Sequence, residues 1–162
     1  MTYRIRRGTH ADADLLTRFN HAMAQESEDK PLDLARLKAG ITALLDSPAD
    51  GYYLIADDER GEPAGALMLT FEWSDWRNGR FWWIQSVYVR PEHRRKGVYS
   101  ALHAHVRDAA RADPKACGLR LYVERENTGA QATYRAMGMV ETHYRLYEEE
   151  FVRGRTLASA TR

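Results

Sequence analysis

Ile84, Gln85, Ser86, Val87, Tyr88, Val89, Arg90, Pro91, Glu92, His93, Arg94, Arg95, Lys96, Gly97, Val98, Tyr99, Ser100, Ala101 and Leu102 are consecutive in this chain, and their reading decides the fold. A run rich in aliphatic and aromatic residues ends in a basic turn. At Gly97 the apolar spacing changes, and Val98, Ala101, Leu102, His105, Val106 and Ala109 fall on one helical stripe. The order is therefore strand, turn, helix. A helix that opens directly from such a turn presents unpaired N–H groups and the positive end of its dipole, which suits an anion such as a diphosphate. Arg94, Arg95 and Lys96 add full charges, and Gly97 lets the backbone approach a ligand without a Cβ in the way. Taken alone, the same basic triplet reads as a solvated turn.

Upstream, Tyr3 to Arg6 alternates as a strand, and Thr9 with Asp12 forms a capping box for a helix carrying Leu15, Leu16, Phe19 and Met23 on one face. A polar break from Gln25 to Pro31 precedes a second amphipathic run (Leu34, Leu37, Ile41, Leu44, Leu45) that ends at Asp46, Ser47 and Pro48. Tyr52 to Ala56, Ala64 to Trp73 and Arg80 to Val89 read as an antiparallel meander with turns at Glu59 to Gly61 and at Asn78, Gly79. Downstream, Leu119, Leu121 and Val123 alternate as a strand. Asn127 caps a helix with Ala130, Tyr134 and Met137, Gly138 ends it, and a last extended region runs from Met139 to Phe151. The expected fold is α/β in the mixed α+β sense, in the order βααβββαβαβ. A central, mostly antiparallel mixed sheet of about six to seven strands is flanked by about four helices. Residues 1–152 are expected to form one domain and residues 153–162 a C-terminal tail.

Composition narrows the function classes. A chain of 162 residues with 44% hydrophobic content can bury one sizeable core. The 24 Lys and Arg against 23 Asp and Glu leave a net charge of +1, which argues against nucleic acid as a partner. Cys117 is the single cysteine, so an intrachain disulfide and a cysteine-based metal site are both excluded. The histidines show no metal-ligand spacing, and no metal is expected. No run approaches the roughly 18 apolar residues of a membrane span, so the expectation is a cytoplasmic protein with no membrane partner.

The strand, turn and helix around Gly97 resemble the central acetyl-CoA motif of the GCN5-related N-acetyltransferase (GNAT) superfamily, which reads Arg or Gln, two residues, Gly, one residue, Gly or Ala. Arg94, Gly97 and Tyr99 stand at those positions, and Tyr99 departs from the small residue. Leu121, Tyr122 and Val123, then Asn127, Ala130, Tyr134 and Gly138, resemble the family's late strand and helix. The resemblance implies acetyl-CoA as co-substrate. It places the pantetheine arm on Val87, Tyr88 and Val89 and the diphosphate on Arg94, Arg95, Lys96, Gly97, Val98, Tyr99 and Ser100, with Asn127 and Tyr134 also at the cofactor.

It further implies direct acyl transfer from a thioester to an amine, with Tyr134 at the position of the general acid. A phenol, with a reference pKa of about 10, can protonate a departing thiolate whose thiol titrates at about 8.5. An oxyanion donor is expected among the strand N–H groups near Val87 or Tyr88. Asn127 also reads as a plain helix cap, and Tyr134 as a tyrosine packed on the core. The candidate bases are Glu72, near the end of its strand, and Glu26 or Glu28, at the end of the first helix, directly or through ordered water. Each of these also reads as a solvated carboxylate. Gln85 and Ser86 stand where some relatives carry an acidic base, and neither side chain can serve as one.

All four tryptophans lie between Phe71 and Trp83. So many rings exceed one core face, and one set is expected to line a cleft or a homodimer contact. With Glu26, Glu28, Asp29, Glu72 and Asp75 they would favour a small cationic amine as substrate. The alternatives are a protein lysine or N-terminal acetyltransferase and a coenzyme A-binding protein without catalysis.

Overall fold

Strands form where apolar and aromatic residues alternate, and helices where the apolar stripe recurs every three to four residues. The computed structural model describes residues 1–29 and 31–151, without the Glu28 side chain. The elements are β1 (Arg4–Arg7), α1 (Ala13–Glu28), α2 (Leu34–Asp46), β2 (Gly51–Asp57), β3 (Pro63–Ser74), β4 (Gly79–Val89), α3 (Val98–Ala112), β5 (Ala116–Arg120) and α4 (Thr128–Ala136). Short 3-10 turns at His10–Asp12 and Pro91–His93 lead into α1 and toward α3. The chain divides into two compact units, Met1–Glu124 and one that begins at Arg125, and each is described by itself.

In the first unit one sheet has the order β1-β2-β3-β4-β5, antiparallel through β4 and parallel between β4 and β5. Because side chains alternate across a sheet, β2, β3 and β4 each feed two cores. On one face Leu54, Leu67, Leu69, Trp82 and Ile84 pack against Val98, Leu102 and Val106 of α3. On the other, Tyr53, Ile55, Ala66 and Tyr88 pack against Ala13, Leu16 and Phe19 of α1 and Ile41 of α2. Arg6 ties the start of α1 to the sheet: its guanidinium donates to Asp57 at 2.7 Å and to both oxygens of Asp12 at 2.9 and 3.0 Å. Asp57 is buried, and the ion pair is what makes its burial tolerable.

The sheet has five strands among the described residues, not six or seven. The strand expected across Leu119 to Val123 pairs only as Ala116–Arg120, because its ladder with β4 runs from Arg80 to Trp83 and stops there. Met139 to Phe151 pairs with no strand among the described residues, and Val140, Tyr144, Leu146, Tyr147 and Phe151 are exposed. Alternation makes a segment able to pair but supplies no partner. The expected tail at 153–162 lies outside the described residues. In the second unit Asn127 Oδ1 accepts the Ala130 N–H at 3.1 Å and caps α4, and Gly138 follows the helix at φ +85°. Among the described residues no helix is long and apolar enough to cross a membrane, and no three metal-binding side chains cluster.

The tryptophans separate by position. Trp82 is 6% exposed in the α3-side core, where its ring meets Phe71 and Tyr52 edge-on, whereas Trp76 in the hairpin turn is 88% exposed and Trp73 is also open to solvent. Gly65 on β3 lies close to both β4 and α3. A Cβ there would lie 2.7 Å from the Tyr88 carbonyl oxygen and 2.9 Å from Val98 Cγ1. Gly65→Ala is expected to lower unfolding stability by about 1 to 3 kcal/mol through overpacking, measured as a reduced urea midpoint. An unchanged midpoint would contradict this close approach.

Candidate active site

The C-terminal half of β4 is shaped by one extra residue. Met68 pairs with Gln85 and Ala66 with Tyr88, so β4 takes three steps where β3 takes two. Ser86 absorbs the difference at φ +50°, a β-bulge with a non-glycine residue in the left-handed region. The bulge reverses the parity of the strand. Trp82 and Ile84 face α3 before it, whereas Val87 and Val89 face α3 after it and Tyr88 turns to α1. Gln85 Nε2 donates to Thr70 Oγ1 at 2.5 Å beside the bulge.

Beyond Trp83 the β5-side edge of β4 pairs with no strand among the described residues. The Arg90 N–H donates to the Ala64 carbonyl at 2.9 Å, which directs Arg90 toward β3. Antiparallel pairing alternates, so Val89 and, two residues back, Val87 aim their N–H groups at the open edge, while Tyr88, opposite Ala66, aims its own at β3. Of the two strand donors expected near the thioester, Val87 keeps an outward N–H and Val89 joins it. The Val89 carbonyl on this edge accepts from Arg94 Nε at 3.0 Å.

The turn that follows is rooted by buried His93, whose Nδ1 lies 3.4 Å from the Tyr3 hydroxyl. Arg95, at φ +61°, and Lys96 are exposed and form no ion pair with a described residue. Gly97 takes φ +87° as the N-cap of α3, and nothing lies within 4 Å of the position a Cβ would occupy. The first internal bond of α3 runs from the Ala101 N–H to the Gly97 carbonyl at 3.0 Å, so the amides of Val98 and Ser100 lie in the first turn and point out of the helix end. Tyr99 lays its ring beside His103, with centroids 5.9 Å apart, along the helix flank. An open amide end, two exposed cations and an open strand edge fit a donor with a diphosphate and an amide-bearing arm, such as acetyl-CoA.

Glu26, in the last turn of α1, reaches this region. Its carboxylate accepts a charge-assisted hydrogen bond from Arg94 and lies 3.5 Å from the Tyr88 hydroxyl, a donor to it. The Arg94 guanidinium also lies 5.9 Å from the Tyr88 ring centroid. Burial first, and then the Glu26 charge, hold the Tyr88 phenol above its ordinary range, so it remains a donor at neutral pH.

Glu72 lies elsewhere. It is opposite Phe81 in the β3–β4 ladder and pairs with Arg120, whose guanidinium stacks over the Phe81 ring at 3.7 Å. At about 3.3 Å per residue, Phe81 is on the order of 20 Å along the strand from Val87. The structure thus brings Glu26 to the Val87–Val89 edge and holds Glu72 at the far end of the sheet. The Trp83 and Tyr122 rings, 6.0 Å apart, lie between, on the sheet face that carries Tyr88. In the second unit Tyr134 is half-buried, and burial raises its phenol above the ordinary value.

Two features escaped the sequence reading. The Glu26 to Arg94 contact joins residues 68 apart in the chain, and no local pattern announces it. The bulge at Ser86 also leaves no trace, since serine is ordinary in a strand and only pairing with β3 shows the extra residue.

The profile of the acetyltransferase (GNAT) family matches residues 14–139. Among solved structures, a possible acetyltransferase from Clostridium difficile 630 is 41% identical, with 94% of this chain and 99% of that one covered and a TM-score of 0.86. A predicted acetyltransferase from Clostridium acetobutylicum, solved with acetyl-CoA, is 16% identical over 91% of this chain and 96% of that one, with a TM-score of 0.75. A ribosomal-protein-alanine N-acetyltransferase from Brucella melitensis biovar Abortus 2308 is 20% identical over 93% and 100% of the two chains, with a TM-score of 0.74. The last two share the fold. None of the curated proteins matches this sequence significantly. An open strand edge running through a basic turn into a bare helix end is thus set within a fold shared with acetyltransferases, and the chain belongs to the acetyltransferase (GNAT) family.

Proposed function

We propose that the protein is an acetyl-CoA-dependent N-acetyltransferase that acetylates the primary amine of a small cationic molecule. The observation that carries this reading is the edge of β4 that pairs with no strand among the described residues after the Ser86 bulge, continuous through the basic turn with the N-terminus of α3. When bound, the donor supplies an acetyl group activated as a thioester, open to attack by an uncharged amine. The α3 amides, Arg95, Lys96 and Gly97 hold its diphosphate, and the outward groups of Val87 and Val89 align its arm.

The Val87 or Val89 N–H donates to the oxygen that gains charge as the new C–N bond forms. Glu26 is the favoured acceptor of the amine proton, since it is the candidate carboxylate beside the strand edge, while Glu72 lies opposite Phe81, on the order of 20 Å along the strand from Val87. By its resemblance to the family's general-acid position, Tyr134 is the proposed proton donor to the sulfur as the C–S bond breaks, and burial raises its phenol, which stays protonated at neutral pH. The preference for a cationic acceptor is supported by Glu26 and by the Trp83 and Tyr122 rings on the same sheet face. A monomeric or dimeric state is compatible with this chemistry. The exposed Trp73 and Trp76 side chains offer a surface for a homodimer.

Acetyl-CoA-dependent release of free thiol, measured across polyamines, aminoglycosides, amino-acid derivatives and lysine peptides, is expected to be fastest with a small polycation. Release confined to peptides would transfer the reading to protein acetylation, and coenzyme A binding with no release on any acceptor would favour a non-catalytic binder. Tyr134→Phe should lower kcat by about a hundredfold or more while coenzyme A binding by calorimetry persists. The sign of the pH dependence follows from the raised phenol: the acid is present below its pKa and lost as pH rises through it. The high-pH limb of kcat attributable to Tyr134 should therefore lie above about 10, and a limb near neutrality that disappears in Tyr134→Phe would contradict the role. Gly97→Ala places a Cβ at a left-handed position, at a cost of about 1 to 2 kcal/mol. It is expected to lower the urea midpoint and weaken coenzyme A binding together.

A further inference from the structure

Arg94 carries the charge that the family motif directs at a diphosphate, yet here its guanidinium is engaged by groups of the protein. Nε donates to the Val89 carbonyl at 3.0 Å, on the open edge of β4, and a terminal nitrogen donates to Glu26. The neighbouring cations Arg95 and Lys96 form no such pair with described residues. One side chain thus occupies a backbone acceptor on the edge assigned to the donor and also the carboxylate assigned to the amine. Arg94 and Glu26 side chains are each 44% exposed, so their contact is a surface pair, readily exchanged for a stronger partner. A diphosphate carries more negative charge than a carboxylate and accepts the guanidinium fork through two oxygens.

We propose that Arg94 is a switch between Glu26 and the diphosphate of acetyl-CoA, so that binding of the donor withdraws the guanidinium from Glu26 and releases that carboxylate for the acceptor amine. Tyr88 makes the release orderly. Its hydroxyl lies 3.5 Å from the Glu26 oxygen that Arg94 does not bind, so the carboxylate keeps one donor when the arginine leaves. Its ring also lies 5.9 Å from the guanidinium. In this arrangement the acceptor subsite carries its full negative charge only when the donor is in place, which couples the two substrates without a moving loop. Arg94 is a positioning residue in this scheme and takes no part in proton transfer.

The inference rests on the reading of the α3 end as an acetyl-CoA site, and the test separates the two. Coenzyme A affinity is measured by calorimetry for the wild type, Glu26→Gln, Arg94→Gln and the double variant. If Glu26 competes for Arg94, Glu26→Gln removes the competitor and tightens coenzyme A binding by roughly two- to fivefold, the range that an exposed ion pair supplies. In the Arg94→Gln background the same substitution should have little effect. A structural role for Glu26 would not predict tighter binding. An unchanged or weaker affinity in Glu26→Gln overturns the switch, as does an equal gain in both backgrounds, which would reflect general charge repulsion. Failure of the wild type to bind coenzyme A overturns the donor site itself, and the switch with it.

Discussion

A single residue inserted into β4 governs how the rest of the first unit is used. With Ser86 at φ +50°, the strand shifts by one residue against β3, and everything beyond it changes face. From Arg80 to Trp83 β4 is an interior strand, paired on both sides, and Phe81, Trp82 and the following Ile84 fill the core. Beyond Trp83 only the β3 side is paired among the described residues. Backbone donors and acceptors left unpaired in this way need other partners, and a strand edge is therefore a binding surface by construction. The bulge also turns Tyr88 toward α1, and that turn is what brings its hydroxyl to Glu26.

Ion pairs hold α1 at both ends. Near its start, Arg6 joins Asp12 to buried Asp57, and in its last turn Glu26 meets Arg94. The helix has 16 residues, and at about 1.5 Å per residue its length spans roughly 24 Å of the sheet face. The two anchors differ in kind. Asp57 is 2% exposed, and without Arg6 it would keep only the 3.4 Å contact from exposed Arg4, so this end is costly to break. Glu26 and Arg94 are half in solvent, where water can replace either partner at little cost. Under the proposed function, the first end keeps α1 as scaffold while the second makes it part of the site.

The fold was largely legible along the chain because its signals are local. Period, capping and turn chemistry place β1 through β4, the four helices and the Asn127 cap within a few residues of where they stand. Gly97 and Gly138, expected at helix ends, both take positive φ, which few other residues adopt at low cost. The extent of pairing was less legible. The alternation of Leu119, Leu121 and Val123 announces a strand, but a ladder needs a partner in register. The β4–β5 register ends at Trp83 opposite Arg120. The apolar residues after Met139 follow the same rule, alternating with no strand beside them among the described residues.

Of the candidate site, the sequence by itself determined its donor half: a basic turn, a glycine and a helix start are consecutive in the chain, so their proximity is covalent. It also pointed to a family through motifs between Val87 and Gly138. Only the tertiary structure decided which carboxylate stands at the strand edge. Glu26 and Glu72 are equally plausible as acidic residues near the ends of their elements. The packing of α1 on Tyr88 brings Glu26 to Arg94, and the pairing of β5 with β4 commits Glu72 to Arg120 about 20 Å away. The same folding gave Arg94 a partner 68 residues distant, because charges meet through space and a sequence records only order along the chain.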